Sequence, residues 1–230
     1  MQLFQDDFLK LETPSVDLIV TDPPYRWNKT TGGRAKNDLF AKKWQGSITG
    51  KNIVQASLTH NNIKFSDWMG HAYAALKDPG HCYIFVNDKN VQDALNAATA
   101  VGFRLHNILI WHKNNCTPNR WYMKNAEFIL FLYKGKAFPI NQKGSKQVLS
   151  FKNISGKHKV HPTQKPVELL KELILNSSKK DDIVFDPFMG SGSTGIAALS
   201  CEREFIGCEL DPQYFAVAQK RLCNHTVDVP

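Results

Sequence analysis

The sequence predicts an α/β protein built on a mostly parallel sheet that ends in an antiparallel hairpin. Short apolar runs alternate with segments of helical spacing along the 230 residues. Two apolar runs near the middle have no helix between them, which is typical of a hairpin. A glycine-rich strand-to-helix turn lies so close to the end that the other strands must precede it. The length suits one domain, residues 1–230.

Each element follows from its local pattern. The strands predicted from apolar runs cover residues 16–21, 81–86, 105–112, 126–133, 181–185 and 204–208. Ser66 is expected to cap a first helix that Asp78-Pro79-Gly80 ends, and Gly102 is expected to close a helix that starts at Asp88. The last three helices are predicted from Pro166 to Leu175, from Ser193 to Leu199, and after a cap at Asp211.

A first candidate site directly follows the strand at Val16–Thr21. The next residues are Asp22-Pro23-Pro24-Tyr25. Two prolines cannot continue a sheet ladder, so they hold the chain stiff and extended beyond the carboxyl end of the strand. Open α/β sheets bind ligands at that end. The sequence therefore predicts a carboxylate, a proline carbonyl and an aromatic ring in one cleft.

A second candidate site is the turn from Asp186 to Gly195, which reads DPFMGSGSTG. Its glycines satisfy GxGxxG and allow the backbone to approach a bound nucleotide closely. Acidic Glu209 follows the next apolar run, where dinucleotide sites place an acceptor for ribose hydroxyls. The match is weak alone, but it gains weight beside the first site.

The net charge of +8 is unevenly distributed. Arg26 to Lys64 holds eight basic residues and one acid, and Lys134 to Val160 holds seven lysines and no acid. These two segments carry +14, whereas the rest of the chain carries −6. Such polarisation indicates a surface that binds a polyanion. Trp27, Phe40 and Trp44 lie within the first segment, as stacking surfaces or as anchors of a folded loop.

Composition also excludes several classes. No apolar run reaches the length of a membrane span, and the acidic start is unlike a signal peptide. Five cysteines without CxxC spacing indicate reduced thiols in a cytoplasmic protein. His158 and His161 lack nearby partners, so no metal site is expected.

Together these motifs resemble the S-adenosylmethionine-dependent DNA N6-adenine methyltransferases. The order, with Asp-Pro-Pro-Tyr first and Phe-x-Gly-x-Gly last, is similar to the circularly permuted β group. His161-Pro162-Thr163-Gln164-Lys165-Pro166 resembles the segment before that family's cofactor loop. Residues 209–215 resemble its acidic turn, and residues 1–11 its first short strand. The resemblance implies a Rossmann-like class I fold with seven strands, a bacterial, archaeal or phage origin, and a role in restriction-modification.

The resemblance also implies roles for these residues. Asp22 and the carbonyl of Pro23, held by Pro24, would accept the two N–H bonds of an adenine flipped from the duplex, and Tyr25 would stack on the base. S-adenosylmethionine would be bound by residues spread over the whole chain, namely Asp6, Thr163, Gln164, Lys165, Asp186, Phe188, Gly190, Gly192, Ser193, Thr194 and Glu209.

DNA contacts are expected from the two basic segments. The first, about 26–64, is a substrate loop, and the second, about 134–160, is a short target-recognition segment. The candidate contacts are Arg26, Lys29, Arg34, Lys36, Lys42, Lys43, Lys143 and Lys146. The second segment has no arginine, the residue best suited to reading guanine. We therefore expect a short or relaxed recognition sequence; a strict site of six or more base pairs would contradict this.

Other functions remain open. An N4-cytosine methyltransferase shares the chemistry but more often has Ser in place of Asp22, and an RNA adenine methyltransferase shares the motif. A nicotinamide dehydrogenase would explain the glycines but not Asp22–Tyr25, and an inactive DNA-binding protein should have a broken site. The family also allows a homodimer and a separate restriction endonuclease as partners.

Overall fold

The computed structural model describes residues 1–12, 15–24, 63–117, 121–154 and 164–227. The predicted substrate loop lies outside the described residues, apart from its last two positions, and so do Tyr25 and Thr163. Among the described residues, no helix is both long and apolar enough to cross a membrane.

The described residues form one mixed sheet of eight strands in the order β1-β8-β7-β2-β3-β5-β4-β6. All neighbouring strands are parallel except those that flank β5, which is antiparallel to both β3 and β4. The strands are β1 (Gln2–Phe4), β2 (Val16–Thr21), β3 (Leu76–Val86), β4 (Arg104–Thr117), β5 (Lys124–Lys134), β6 (Val148–Ser150), β7 (Ile183–Asp186) and β8 (Glu204–Cys208). The predicted mixed α/β fold is thus confirmed.

The sheet has one strand more than the seven expected. The extra strand, β6, lies within the predicted target-recognition segment and pairs in parallel with Ile110–His112 of β4. The indole N–H of Trp111 donates to the carbonyl of Phe151 over 2.9 Å, which ties the end of β6 to β4. This part of the lysine-rich segment is therefore the outer edge of the sheet.

In the part of the chain that the structure describes, five α-helices cover the two faces of the sheet. They are α1 (Phe65–Ala75), α2 (Val91–Val101), α3 (Val167–Ser177), α4 (Ser193–Ser200) and α5 (Pro212–Val227), and a 3-10 turn covers Phe8–Lys10. Gly102 ends α2 with φ 106°, as predicted. Asp211 caps α5, since its carboxylate accepts hydrogen bonds from the backbone N–H groups of Gln213 and Tyr214.

Several predicted boundaries were wrong, and α2 starts at Val91 rather than at Asp88. Lys64 rather than Ser66 precedes α1, because the Asp67 carboxylate accepts a hydrogen bond from the Lys64 N–H over 2.9 Å. Pro166 caps α3 from outside the helix. Asp78-Pro79-Gly80 does not end α1 but lies within β3, where Val16 pairs with Leu76 and Leu18 with His81, so residues 77–80 form a bulge.

The core has two halves, one on each face of the sheet. Ile19 and Ile84 point to the side of α1 and α2. Leu18, Val20 and Phe85 point to the side of α3, α4 and α5. Alternate residues of β2 and β3 are therefore buried on opposite faces, as expected for central strands. Burial on both faces leaves the strand ends as the place for polar side chains.

Candidate active site

The two predicted motifs meet where β2 and β7 end side by side. These strands are parallel, with Leu18 opposite Val184 and Ile19 opposite Phe185. The hydroxyl of Thr21, the last residue of β2, donates to a carboxylate oxygen of Asp186, the last residue of β7, over 2.7 Å. The Asp-Pro-Pro segment therefore starts directly beside the glycine-rich turn.

Backbone conformation explains the glycines of the turn. Gly190 has φ 51° and Gly192 has φ 77°, both in the left-handed region that disfavours side chains. Gly192 precedes α4, and a Cβ there would lie 3.2 Å from the Cβ of Ala218. The Met189 N–H donates to the carbonyl of Cys208 over 2.9 Å, which joins the turn to the end of β8. The turn is thus held in one shape.

Asp186 is buried and accepts three hydrogen bonds. Besides Thr21, the donors are the hydroxyl of Thr194 at 2.7 Å and the N–H of Phe188 at 3.1 Å. Burial raises the pKa of Asp186 to about 6, although these hydrogen bonds oppose that rise and the nearby Asp22 adds to it. The side chain organises the turn in addition to lining the cleft.

Lys165 lies at the centre of the site. Its buried ammonium pairs with the carboxylate of Asp22, lies 3.5 Å from an oxygen of Glu127, and stands 5.1 Å from the ring centre of Phe85. In the structure Lys165 joins the two carboxylates, and Glu127 also pairs with Lys113. The cofactor-binding role of Lys165 stays a prediction.

Charges in this group shift one another's protonation. Burial lowers the pKa of Lys165, but the carboxylates of Asp22 and Glu127 outweigh burial, so the pKa lies above its usual value. Burial raises the pKa of Glu127, but Lys165 and Lys113 outweigh burial, and the pKa lies below its usual value. The site therefore holds alternating fixed charges.

Sequence reasoning missed Glu127 and Lys113. A signal was present, because Glu127 is the only acidic residue of the otherwise apolar run 126–133, and Lys113 follows the strand predicted beside it. A charged side chain in a central strand has to find a partner.

Glu209 links the end of β8 to the glycine turn. Its two carboxylate oxygens accept hydrogen bonds from the N–H groups of Gly190 and Asp211, each over 2.9 Å. Asp6 is exposed, and its backbone carbonyl accepts a bond from the Cys208 thiol. Because Phe4 pairs with Cys208, Asp6 and Glu209 lie at the same end of neighbouring strands. Two of the predicted cofactor-binding residues are thus neighbours across β1 and β8.

A cavity of about 50 Å³ lies between the two motifs. It has Met189 and Leu170 in its wall, and it brings together eight of the predicted site residues, namely Asp22, Gln164, Lys165, Asp186, Phe188, Gly190, Ser193 and Thr194. The buried acids and the glycine backbone suit a cationic group such as the methionine ammonium of S-adenosylmethionine, and a cavity of this size holds only part of that molecule. Among the described residues, no cluster of His, Cys, Asp and Glu could hold a metal ion.

The predicted DNA-binding lysines that the structure describes lie elsewhere. Lys143 and Lys146 line a separate cavity of about 430 Å³ together with Glu172 and Asn176 of α3. Lys165 precedes the first turn of α3, whereas Asn176 is in its last turn, about 16 Å away along an 11-residue helix. The reason is that the chain after β5 folds onto the end of α3, where the Asn141 N–H donates to the Asn176 carbonyl. The other DNA-binding candidates lie outside the described residues.

The site defines a class I methyltransferase. Its features are a Rossmann-like sheet, a strand that ends in an acid, a left-handed glycine turn, and a second acid after the next strand. The chain belongs to the DNA methylase family, because the family model that groups N6 and N4 methyltransferases matches residues 16–220. It is 32% identical to the Type II methyltransferase M2.MboI of Moraxella bovis, over 96% of this chain and 83% of that protein.

Other relatives agree. The Type II methyltransferase M2.DpnII of Streptococcus pneumoniae is 28% identical over 93% of this chain and 84% of its own length. The crystal structure of the M1.HpyAVI–SAM complex superposes with a TM-score of 0.70 at 28% identity and covers 96% of this chain and 99% of that one. These matches confirm the predicted family, the class I fold, the assignment as a DNA methyltransferase and S-adenosylmethionine as cofactor.

Proposed function

We propose that the protein transfers a methyl group from S-adenosylmethionine to the exocyclic N6 amine of adenine in DNA. The observation that carries this proposal is that Asp22 and the glycine turn line one cleft. A carboxylate followed by a proline carbonyl is an acceptor pair suited to an amine with two N–H bonds. An acceptor next to a cofactor-binding turn is the arrangement that transfer to an amine requires.

Asp22 and Pro23 prepare the amine. The lone pair of the adenine amine is delocalised into the ring, so the nitrogen is a poor nucleophile. If the Asp22 carboxylate and the Pro23 carbonyl accept its two N–H bonds, the nitrogen is drawn toward tetrahedral geometry and the lone pair is localised. Lys165 orients the carboxylate, and Tyr25 stacks on the flipped base. Once the nitrogen has become cationic, its proton leaves along the hydrogen bond to the Asp22 carboxylate, so Asp22 need not be a strong base.

Residues at the ends of β7 and β8 would hold the cofactor. Glu209 would accept the ribose hydroxyls, Asp186 would face the ammonium, and Phe188 would supply an apolar surface beside the glycine backbone. When bound, the cofactor supplies a methyl group on a cationic sulfur. The chain's own contribution is alignment of the amine and exclusion of water from the cleft.

Aspartate at position 22 favours adenine over cytosine, because the N4-cytosine group more often has serine there. An RNA adenine substrate remains the second alternative. We also propose a short or relaxed recognition sequence, a cytoplasmic location, and, as partners, a second copy of the chain and a separate restriction endonuclease. Methylation mapped to a strict site of six or more base pairs would contradict the first of these.

The test is to incubate the protein with S-adenosylmethionine and unmethylated DNA, and to identify the modified nucleoside by mass spectrometry. We expect N6-methyladenine with the wild type and none with Asp22→Ala. Glu202→Gln is the matched control, because Glu202 pairs with Lys180 on the surface, outside the cleft, and this variant should stay active. N4-methylcytosine, or methylation of RNA alone, would overturn the adenine DNA assignment.

A further inference from the structure

The β4–β5 hairpin extends past the carboxyl ends of β2 and β3, where Asp22 lies. The last residue of β3, Val86, pairs with Phe128, and β5 starts four residues earlier at Lys124. At 3.3 Å per residue the hairpin overhang, residues 111–117 and 121–127, has reached about 13 Å beyond β3 at Lys124, and Trp121 lies three residues further along the chain. Because β2 and β3 are parallel, the hairpin projects on the same side of the sheet as the end of β2, where Asp22 follows Thr21.

The tip of the overhang exposes three consecutive large apolar side chains. Trp121 is 76% exposed, Tyr122 96% and Met123 58%. They are the three most exposed large apolar side chains in the described part of the chain, and the others occur singly. A contiguous exposed apolar group of this kind marks a surface that binds a partner.

The base of the overhang is connected to the catalytic cleft. Glu127, the residue before the Val86–Phe128 pair, lies 3.5 Å from the Lys165 ammonium, which pairs with Asp22. Lys113 on the opposite strand pairs with the other oxygen of Glu127. The overhang and the catalytic carboxylate are therefore held in one frame, so a partner bound at the tip is positioned relative to Asp22.

Charge indicates what kind of partner binds there. Among the described residues, the overhang contains one carboxylate, Glu127, and is contacted by another, Asp88, and each pairs with a lysine. The amides of Asn114 and Asn115 face Asn153, whose N–H and side chain donate to them. A surface of neutralised acids, amides and two aromatic rings suits a duplex, because phosphates are not repelled and every base has a face for stacking.

We propose that the Trp121–Tyr122 tip contacts duplex DNA and inserts an aromatic ring into the base stack beside the target base. The inserted ring replaces stacking that is lost when the adenine rotates out, and so lowers the cost of flipping it. This inference rests on the proposed function and assigns the tip a positioning role, with no contact to the reacting atoms.

The test compares two DNA substrates. In one substrate the target adenine is normally paired. In the other it faces an abasic site, so no base pair has to be broken to extrude it. Tyr122→Ala and Trp121→Ala/Tyr122→Ala should lower kcat/KM on paired DNA by about tenfold or more, and on the abasic substrate by no more than about twofold. Tyr122→Phe, which keeps the ring, should retain activity on both.

Leu105→Ala is the matched control, because Leu105 is 44% exposed on the same hairpin but at the opposite end of β4. It should behave as the wild type on both substrates. Equal losses of the tip variants on both substrates, or no loss on paired DNA, would overturn the proposal. If the wild type methylates neither substrate, the proposed function itself has failed, and cofactor binding by calorimetry distinguishes that result from a misfolded protein.

Discussion

Lys165 and Asp22 are 143 residues apart in the chain, and their side chains form an ion pair in the candidate active site. The pair joins the segment before α3 to the Asp-Pro-Pro segment after β2. Glu127 on β5 supplies a second carboxylate to the same lysine. Three separate parts of the chain are thus held together at the point where the target base is proposed to bind.

Lys165→Met should destabilise the protein by about 3 kcal/mol, because removing the cation leaves the carboxylates of Asp22 and Glu127 without it in a largely buried site. Adding Glu127→Gln should restore part of the loss, since one of the two acids is then neutral. Denaturant unfolding measures both values. Lys180→Met, which breaks an exposed pair with Glu202, is the control and should have little effect.

Asp186→Asn should change how stability depends on pH. Burial raises the pKa of Asp186 from 3.8 to about 6 in the folded protein, so the folded state binds the proton more tightly than the unfolded state. The wild type therefore loses stability relative to Asp186→Asn as pH rises from about 4 to 7, by roughly 3 kcal/mol in total. Urea unfolding across this range tests the sign; a constant difference between the two proteins would contradict it.

Glu209→Gln should weaken cofactor binding by about tenfold or more, because the charged carboxylate proposed to accept the ribose hydroxyls is lost. The amide oxygen can still accept only one of the two hydrogen bonds that Gly190 and Asp211 donate. Titration calorimetry with S-adenosylmethionine measures the change. Glu202→Gln serves again as the surface control, and equal affinities of the two variants would exclude Glu209 from the cofactor site.

Gly195→Ala should destabilise the protein by about 1–3 kcal/mol through overpacking. A Cβ at this position would lie 2.6 Å from a ring carbon of Phe205 and 2.7 Å from a methyl group of Leu222. Gly70→Ala is the matched control, because the nearest atom, on Val101, is 3.9 Å away and alanine favours the helix. Thermal unfolding should show a lower Tm for the first variant and an equal or higher Tm for the second.

Local sequence patterns were sufficient to predict the central strands, and also the carboxyl ends of β2 and β7, where the site is built. β2 and β7 are largely apolar runs with an acid at the carboxyl end, Asp22 directly after β2 and Asp186 as the last residue of β7. Gly102 and Asp211 are helix signals that need no tertiary context. The strand β6 could not be predicted, because three residues in a polar segment become a strand only through pairing with β4. The partners of Lys165 could not be predicted either, since they depend on where distant strand ends meet.

Both outer strands of the sheet, β1 and β6, have only three residues. On one side the N-terminal ammonium pairs with Glu204 of β8, and on the other the Trp111 indole bonds to Phe151. The β1 side therefore offers few unpaired backbone groups to another strand, whereas on the other side β6 covers only Ile110–His112 of the 14-residue β4. A second copy of this chain that extended the sheet would accordingly have to pair with the part of β4 that β6 leaves uncovered, and not with β1.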